Sequence, residues 1–210
     1  MTGKNRLKQP GQRYLAGNLA WVVGLAALAL SGCSTLARSP SPEGTAAMAN
    51  QYVDRGFRGT MLVSRITPVR LGLKGGWQAA PAGSLNPSAD LEAVNSDQSL
   101  FLVVLGEDRA AVAPGTLEDQ ATIYRQILKG GFTQVIDDEA RTKVESVNNF
   151  PAVQYEVRGN VGQNPVAYLH TTIEMGDHYY QVVVWTPDDL RMANADAMES
   201  VVKEFSEAPL

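Results

Sequence analysis

His178-Tyr179-Tyr180-Gln181-Val182-Val183-Val184-Trp185-Thr186-Pro187-Asp188-Asp189 is the stretch on which the fold turns. Its first eight residues are apolar at almost every position, which rules out a strand with one wet face. A strand of that kind is covered on both sides and lies in the middle of a sheet. The last four residues read as a helix start, with a hydroxyl cap at Thr186, proline at the first helical position and two acids in the first turn. Met198, Val201, Val202 and Phe205 then line one face of a terminal helix running to about Ala208.

Upstream, Gly176-Asp177 has the chemistry of a two-residue hairpin connection, and Val166–Met175 is the strand it joins. Val153, Tyr155 and Val157 alternate with Gln154, Glu156 and Arg158, the pattern of a half-buried strand. A turn over Gly159–Asn164 follows it. Val144 and Ser146 make a further strand that turns at Asn148-Asn149. Thr116 is placed to cap a helix, with Glu118 and Asp119 in its first turn. Leu117, Ala121, Tyr124 and Leu128 form its apolar stripe, and Gly130-Gly131 stops it.

Leu91–Val94 and Leu100–Leu105 flank Asn95–Gln98 as a hairpin. The second arm, LFLVVL, is again apolar on both faces. Pro81–Ala89 reads as loop. Val69–Leu73 alternates as a strand, and Gly75-Gly76 turns it to seat Trp77 against the core. A phosphate loop is excluded there, because GxxxxGK[ST] is absent and no helix follows. Residues 51–66 stay open between an edge strand (Met61-Leu62-Val63, Ile66) and a short packed element. The order β-β-β-α-β-β-β-β-α predicts an α+β fold, a mostly antiparallel sheet with helices packed on its faces.

The first 32 residues have another character. Lys4, Arg6, Lys8 and Arg13 occur without an acid, and Leu19–Leu30 is an uncharged apolar run of twelve residues. That is too short for a membrane span, which takes about 20 residues, and reads as a signal peptide over 1–32. Leu30-Ser31-Gly32-Cys33 resembles the lipobox of bacterial lipoproteins at every position. The resemblance implies lipid attachment at Cys33, cleavage before it, and two or three acyl chains where one would hold only marginally. Ser34, in place of aspartate, favours the outer over the inner membrane. Residues 33–50, with Pro40 and Pro42, read as the lipidated cysteine and a flexible linker, and 51–210 as one globular domain.

From residue 33 onward fourteen basic residues face twenty-two acidic ones. A net charge of −8 argues against nucleic acid and against electrostatic docking on anionic lipid, leaving the acyl anchor as the membrane attachment. With Cys33 lipidated, no cysteine is left for a disulfide.

The G-W after the first strand, the LFLVVL arm, FPAVQYEV and YYQVVVWTPDD…VVKEFSEA resemble the PsbP/DcrB-like fold over roughly 68–208. That group includes a photosystem lumen protein, a Ran-binding nuclear import factor and bacterial envelope lipoproteins. The resemblance implies the sandwich and an envelope setting. It carries no functional residue to a numbered position, because the group shares no site.

Neither G-x-S-x-G nor H-E-x-x-H occurs. His170, mid-strand beside Tyr168, is expected as a hydrogen-bonded structural histidine. His178 is expected to be exposed and opposite Met175, too far from His170 to act with it. Asp137-Asp138-Glu139 lacks the alternating oxygen spacing of a calcium loop and reads as a solvated turn. No cofactor or metal is expected. These residues point to a non-enzymatic periplasmic module that binds a protein partner or assists envelope assembly. The alternative is a binder of a small apolar or amphiphilic ligand lined by Trp77, Tyr124 or Trp185, and an envelope hydrolase ranks below both.

Overall fold

A computed structural model describes residues 50–57 and 59–209, without the side chains of 137–139. The leader, Cys33 and most of the linker lie outside it. The two doubly apolar arms are neighbours at the centre of the larger sheet. β6 (Leu100–Asp108) pairs with β11 (His178–Pro187) in antiparallel register, Val104 opposite Val182 and Leu102 opposite Val184.

Around that pair lie β5 (Leu91–Asn95) and β4 (Gln78–Ala79) on one side. On the other lie β10 (Asn164–Met175), β9 (Phe150–Val161) and β7 (Gln134–Arg141), and the short β8 (Ser146–Val147) pairs with β9. A smaller sheet runs β1 (Gln51–Gly56), β2 (Gly59–Ser64), β3 (Val69–Gly72) and β12 (Phe205–Glu207). Among the described residues every pairing is antiparallel. The chain is therefore α+β as its pattern predicts.

The large sheet separates two apolar layers. On one face Val103, Val157, Tyr168 and Val183 pack under α1 (Leu117–Gly130) through Ala121, Tyr124 and Leu128. On the other Leu102, Val104, Ile173, Tyr180, Val182 and Val184 pack against α2 (Arg191–Lys203) and the small sheet, through Met198, Val201, Val202, Leu62, Leu71 and Phe205. α1 starts as expected, with Thr116 Oγ1 accepting from the Asp119 N–H and Asp119 Oδ2 accepting from the Thr116 N–H at 2.8 Å.

The open stretch 51–66 forms the β1–β2 hairpin and the turn after it, with Leu62 opposite Val53. Four local expectations are corrected. Gly159 belongs to β9 and not to a turn, because the Phe132 ring lies where a Cβ would stand. The reversal falls at Gly162, whose φ is +63°. Asp137-Asp138-Glu139 lies within β7, an edge strand with register shifts on both sides of Asp137, and is not a turn.

Thr186 does not cap the last helix. β11 continues through Pro187, a 3-10 turn takes Asp188–Leu190, and the buried Thr186 hydroxyl accepts from Asn194 Nδ2 at 2.8 Å. The helix ends at Lys203, not near Ala208, because Phe205–Glu207 leave it to pair with β3.

Candidate functional site

The Gly75-Gly76 turn and α2 enclose a groove of about 320 Å³. Gly75 and Gly76 have φ of +61° and +89°, the left-handed region that glycine enters without strain. The turn folds Trp77 back onto the core, where it is buried. α2 brings Asp196, Ala197, Ser200 and Val201 to the opposite wall, with Glu204 just past its end. Gly72, Gly75, Ala197 and Ser200 are small, and that is why the space stays open. Lys74 Nζ and Glu204 Oε1 close one end at 2.8 Å.

Behind the turn the buried Asn95 donates through Nδ2 to the Gly75 carbonyl at 2.9 Å and to Gln98 Oε1 at 2.7 Å. Its Oδ1 meets no donor among the described residues. The groove thus offers an aromatic and aliphatic floor with an acid-rich rim.

The second polar centre lies under α1. His170 is fully buried and stacks on Tyr124, ring centroids 5.1 Å apart. Its Nε2 donates to Gln181 Oε1 at 2.8 Å. The same oxygen accepts from Thr172 Oγ1 at 2.8 Å, and Gln181 Nε2 donates to Glu107 Oε2 at 2.9 Å. Burial holds the His170 pKa down to about 4, against the upward pull of the Gln181 bond. The Tyr124 hydroxyl is pushed far up by burial, with Glu107 and Tyr168 adding to the effect. A general base must reach its substrate's proton, and this neutral imidazole is sealed by the helix. It is a structural histidine, as expected.

His178 pairs with Met175 while His170 pairs with Val183, so the two histidines do not meet. Of the three aromatics expected to line a cavity, only Trp77 lines the groove. Tyr124 covers His170, and the half-buried Trp185 stacks on Phe101 at 5.4 Å and leans on Tyr168 at 5.9 Å. Among the described residues no group of three His, Cys, Asp or Glu side chains is placed to hold a metal ion.

Sequence reasoning missed Arg125. It is buried in the α1 interface with its guanidinium 3.5 Å over the Tyr155 ring, and the Tyr155 hydroxyl donates to Glu118 at 2.5 Å. An arginine at i+1 from Tyr124 on the apolar stripe was the available signal, readable only once Tyr155 is known to lie beneath it.

Fold and site together describe an α+β antiparallel sandwich with a closed polar layer under one helix and one open groove beside the other. No protein-family model and no curated protein matches the sequence. Solved structures similar to it include LpqN of Mycobacterium tuberculosis, described as involved in cell envelope biogenesis. That similarity is at 13% identity and TM-score 0.49, over 80% of this chain and 90% of that one. The cyanobacterial PsbP of Synechocystis is similar at 13% and 0.48, over 80% and 98%. The Ran-binding protein Mog1p of Saccharomyces cerevisiae is similar at 13% and 0.45, over 76% and 96%.

Proposed function

We propose that this chain is an acyl-anchored envelope lipoprotein whose folded part is a non-enzymatic module that binds a protein partner or assists an envelope assembly. The observation that carries the proposal is Leu30-Ser31-Gly32-Cys33, standing directly after a basic segment and a twelve-residue apolar run. Cys33 takes the diacylglycerol and becomes the amino terminus, and Ser34 directs the protein to the outer membrane, facing the periplasm. The sealing of His170 supports the non-enzymatic part, since the best-placed imidazole is neutral and beyond the reach of solvent. No helix among the described residues is long and apolar enough to cross a membrane.

Metabolic labelling with palmitate tests the anchor. The native chain takes up label and Cys33→Ala does not; label retained in that variant sinks the reading. Cross-linking in membranes followed by pull-down tests the partner, and recovery of no specific protein counts against it.

The groove favours a second reading, a small amphiphilic ligand seated on Trp77. Native mass spectrometry that finds a stoichiometric lipid would replace the partner-only reading.

A further inference from the structure

Eight large apolar residues are exposed among the described residues, and four of them, Tyr52, Val53, Phe57 and Ile66, fall within fifteen positions. They sit on the β1–β2 hairpin and the turn after it. Phe57, at the hairpin tip, is completely exposed. Among the described residues β1 is an outer strand whose only ladder partner is β2.

The same stretch carries its own charge. Residues 51–66 hold Arg55, Arg58 and Arg65 against the single acid Asp54, while 67–210 hold ten basic residues against twenty acidic ones. The net acidity of the domain conceals one basic edge. The Arg65 guanidinium lies 4.7 Å over the Tyr52 ring, so cation and aromatic share one patch. Arg65 N–H also donates to the Asn50 carbonyl at 2.8 Å, which puts this patch where the linker enters.

We infer that the β1–β2 hairpin is a docking surface for anionic lipid headgroups, with Phe57 at its tip entering the acyl boundary and, among the phosphates, Arg55 on one face of the hairpin and Arg65 over Tyr52 on the other. Exposed aromatic and aliphatic side chains partition to the bilayer interface, and neighbouring arginines add attraction to anionic lipid that salt screens. Charge complementarity calls for an anionic surface, and the fully exposed Phe57 ring at the hairpin tip suits a bilayer interface that a side chain can enter. A linker of seventeen residues from Ser34 to Asn50 holds this edge within reach of the membrane. The inference rests on the proposed anchor only for that proximity.

The test uses the full acylated chain with Phe57→Trp, whose added indole emission is read as a difference from the unsubstituted protein. The vesicles are phosphatidylcholine with or without phosphatidylglycerol, and their acyl chains are brominated or plain. On anionic vesicles the added emission shifts to the blue and bromine quenches most of it. High salt or the double variant Arg55→Glu/Arg65→Glu abolishes the shift.

A chain that floats with anionic vesicles while its added indole stays unshifted and unquenched overturns the docking and leaves the anchor standing. A chain without acyl label that is still quenched on anionic vesicles keeps the docking and removes the anchor. Protection of position 57 in native membranes but not on vesicles assigns the hairpin to a protein and overturns the lipid assignment. Phe57 touches no core, so equal melting of variant and native protein certifies the comparison.

Discussion

The side-chain amide of Gln51 closes two hydrogen bonds with the backbone of Glu92. Its Oε1 accepts from the Glu92 N–H at 2.6 Å, and its Nε2 donates to the Glu92 carbonyl at 3.3 Å and to the Ala80 carbonyl at 3.0 Å. One buried glutamine on the first strand of the small sheet thereby serves as a strand-like neighbour for β5 of the large one. Gln51→Ala leaves a buried N–H without an acceptor, which costs roughly 1–3 kcal/mol. Urea unfolding followed by tryptophan fluorescence reads it; an unchanged midpoint would mean that water replaces the amide at no cost.

Glu92 also organises the loop beside it. Its buried carboxylate accepts from the backbone N–H groups of Leu85 at 2.7 Å and Asn86 at 2.8 Å, and from that of Gly83. Glu92→Ala removes the acceptor around which residues 81–89 are wound. Limited proteolysis is expected to cut the variant first within that loop, with a stability loss of roughly 2–4 kcal/mol. A digestion pattern like that of the native chain would show the loop holds its form unaided.

Asp90 carries the opposite kind of burial. Its Oδ2 accepts from Thr67 Oγ1 at 3.0 Å and from the Gly106 N–H at 2.7 Å. Desolvation nonetheless raises its pKa above the ordinary 3.8, with those two bonds and the nearby His178 opposing. The folded state therefore takes up the proton first, and Asp90's contribution to stability is lost as pH rises through the raised value. Asp90→Asn keeps an oxygen for both donors and removes the buried charge. Its melting temperature at neutral pH should equal or exceed that of the native protein, the difference shrinking towards pH 4. A clear drop at neutral pH would show that the ionised carboxylate is preferred.

His170 sets the acid limb. Its folded pKa of about 4 lies below the ordinary 6.5, so the unfolded chain binds the extra proton between those values. The stability it contributes is full above 6.5 and falls as pH drops towards 4, by roughly 3 kcal/mol in all. Urea midpoints across that window should decline, and the His170 ring signals in NMR should not titrate above pH 5. Titration near 6.5 would mean that the ring reaches water.

Gly106 tests the packing between these groups. A Cβ there would come within 2.7 Å of Asp90 Oδ2 and 2.9 Å of the Tyr180 ring. Gly106→Ala is expected to cost about 1–3 kcal/mol through overpacking, read by thermal melting.

The central strands were legible because apolarity on both faces has a single structural meaning. LFLVVL and HYYQVVVW pair with each other, Val103 opposite Val183. The helix over Leu117–Gly130 was legible from Thr116 and its stripe. β7 was not, because an edge strand with register shifts keeps no period of two and its acids imitate a turn. Gly159 looked like turn chemistry because only the fold places Phe132 above it. Phe205 was read as helical since it stands three and four positions beyond Val202 and Val201, and the β3 edge that captures it lies 134 positions earlier. The groove was half legible: Trp77 could be read as an aromatic after a tight turn, but the wall of Asp196, Ala197 and Ser200 depends on where α2 lies.

β12 has a temporal consequence. Phe205 pairs with Leu71, and the Ala208 N–H donates to the Pro68 carbonyl at 2.9 Å. A chain made from its amino terminus presents β1, β2 and β3 before the large sheet, yet their sheet is completed only when β12 arrives after it. Until then the exposed β3 edge waits through the synthesis of the whole large sheet, an open invitation to mispairing. β12 is therefore a closing seam: it ends the vulnerable interval that β1, β2 and β3 begin.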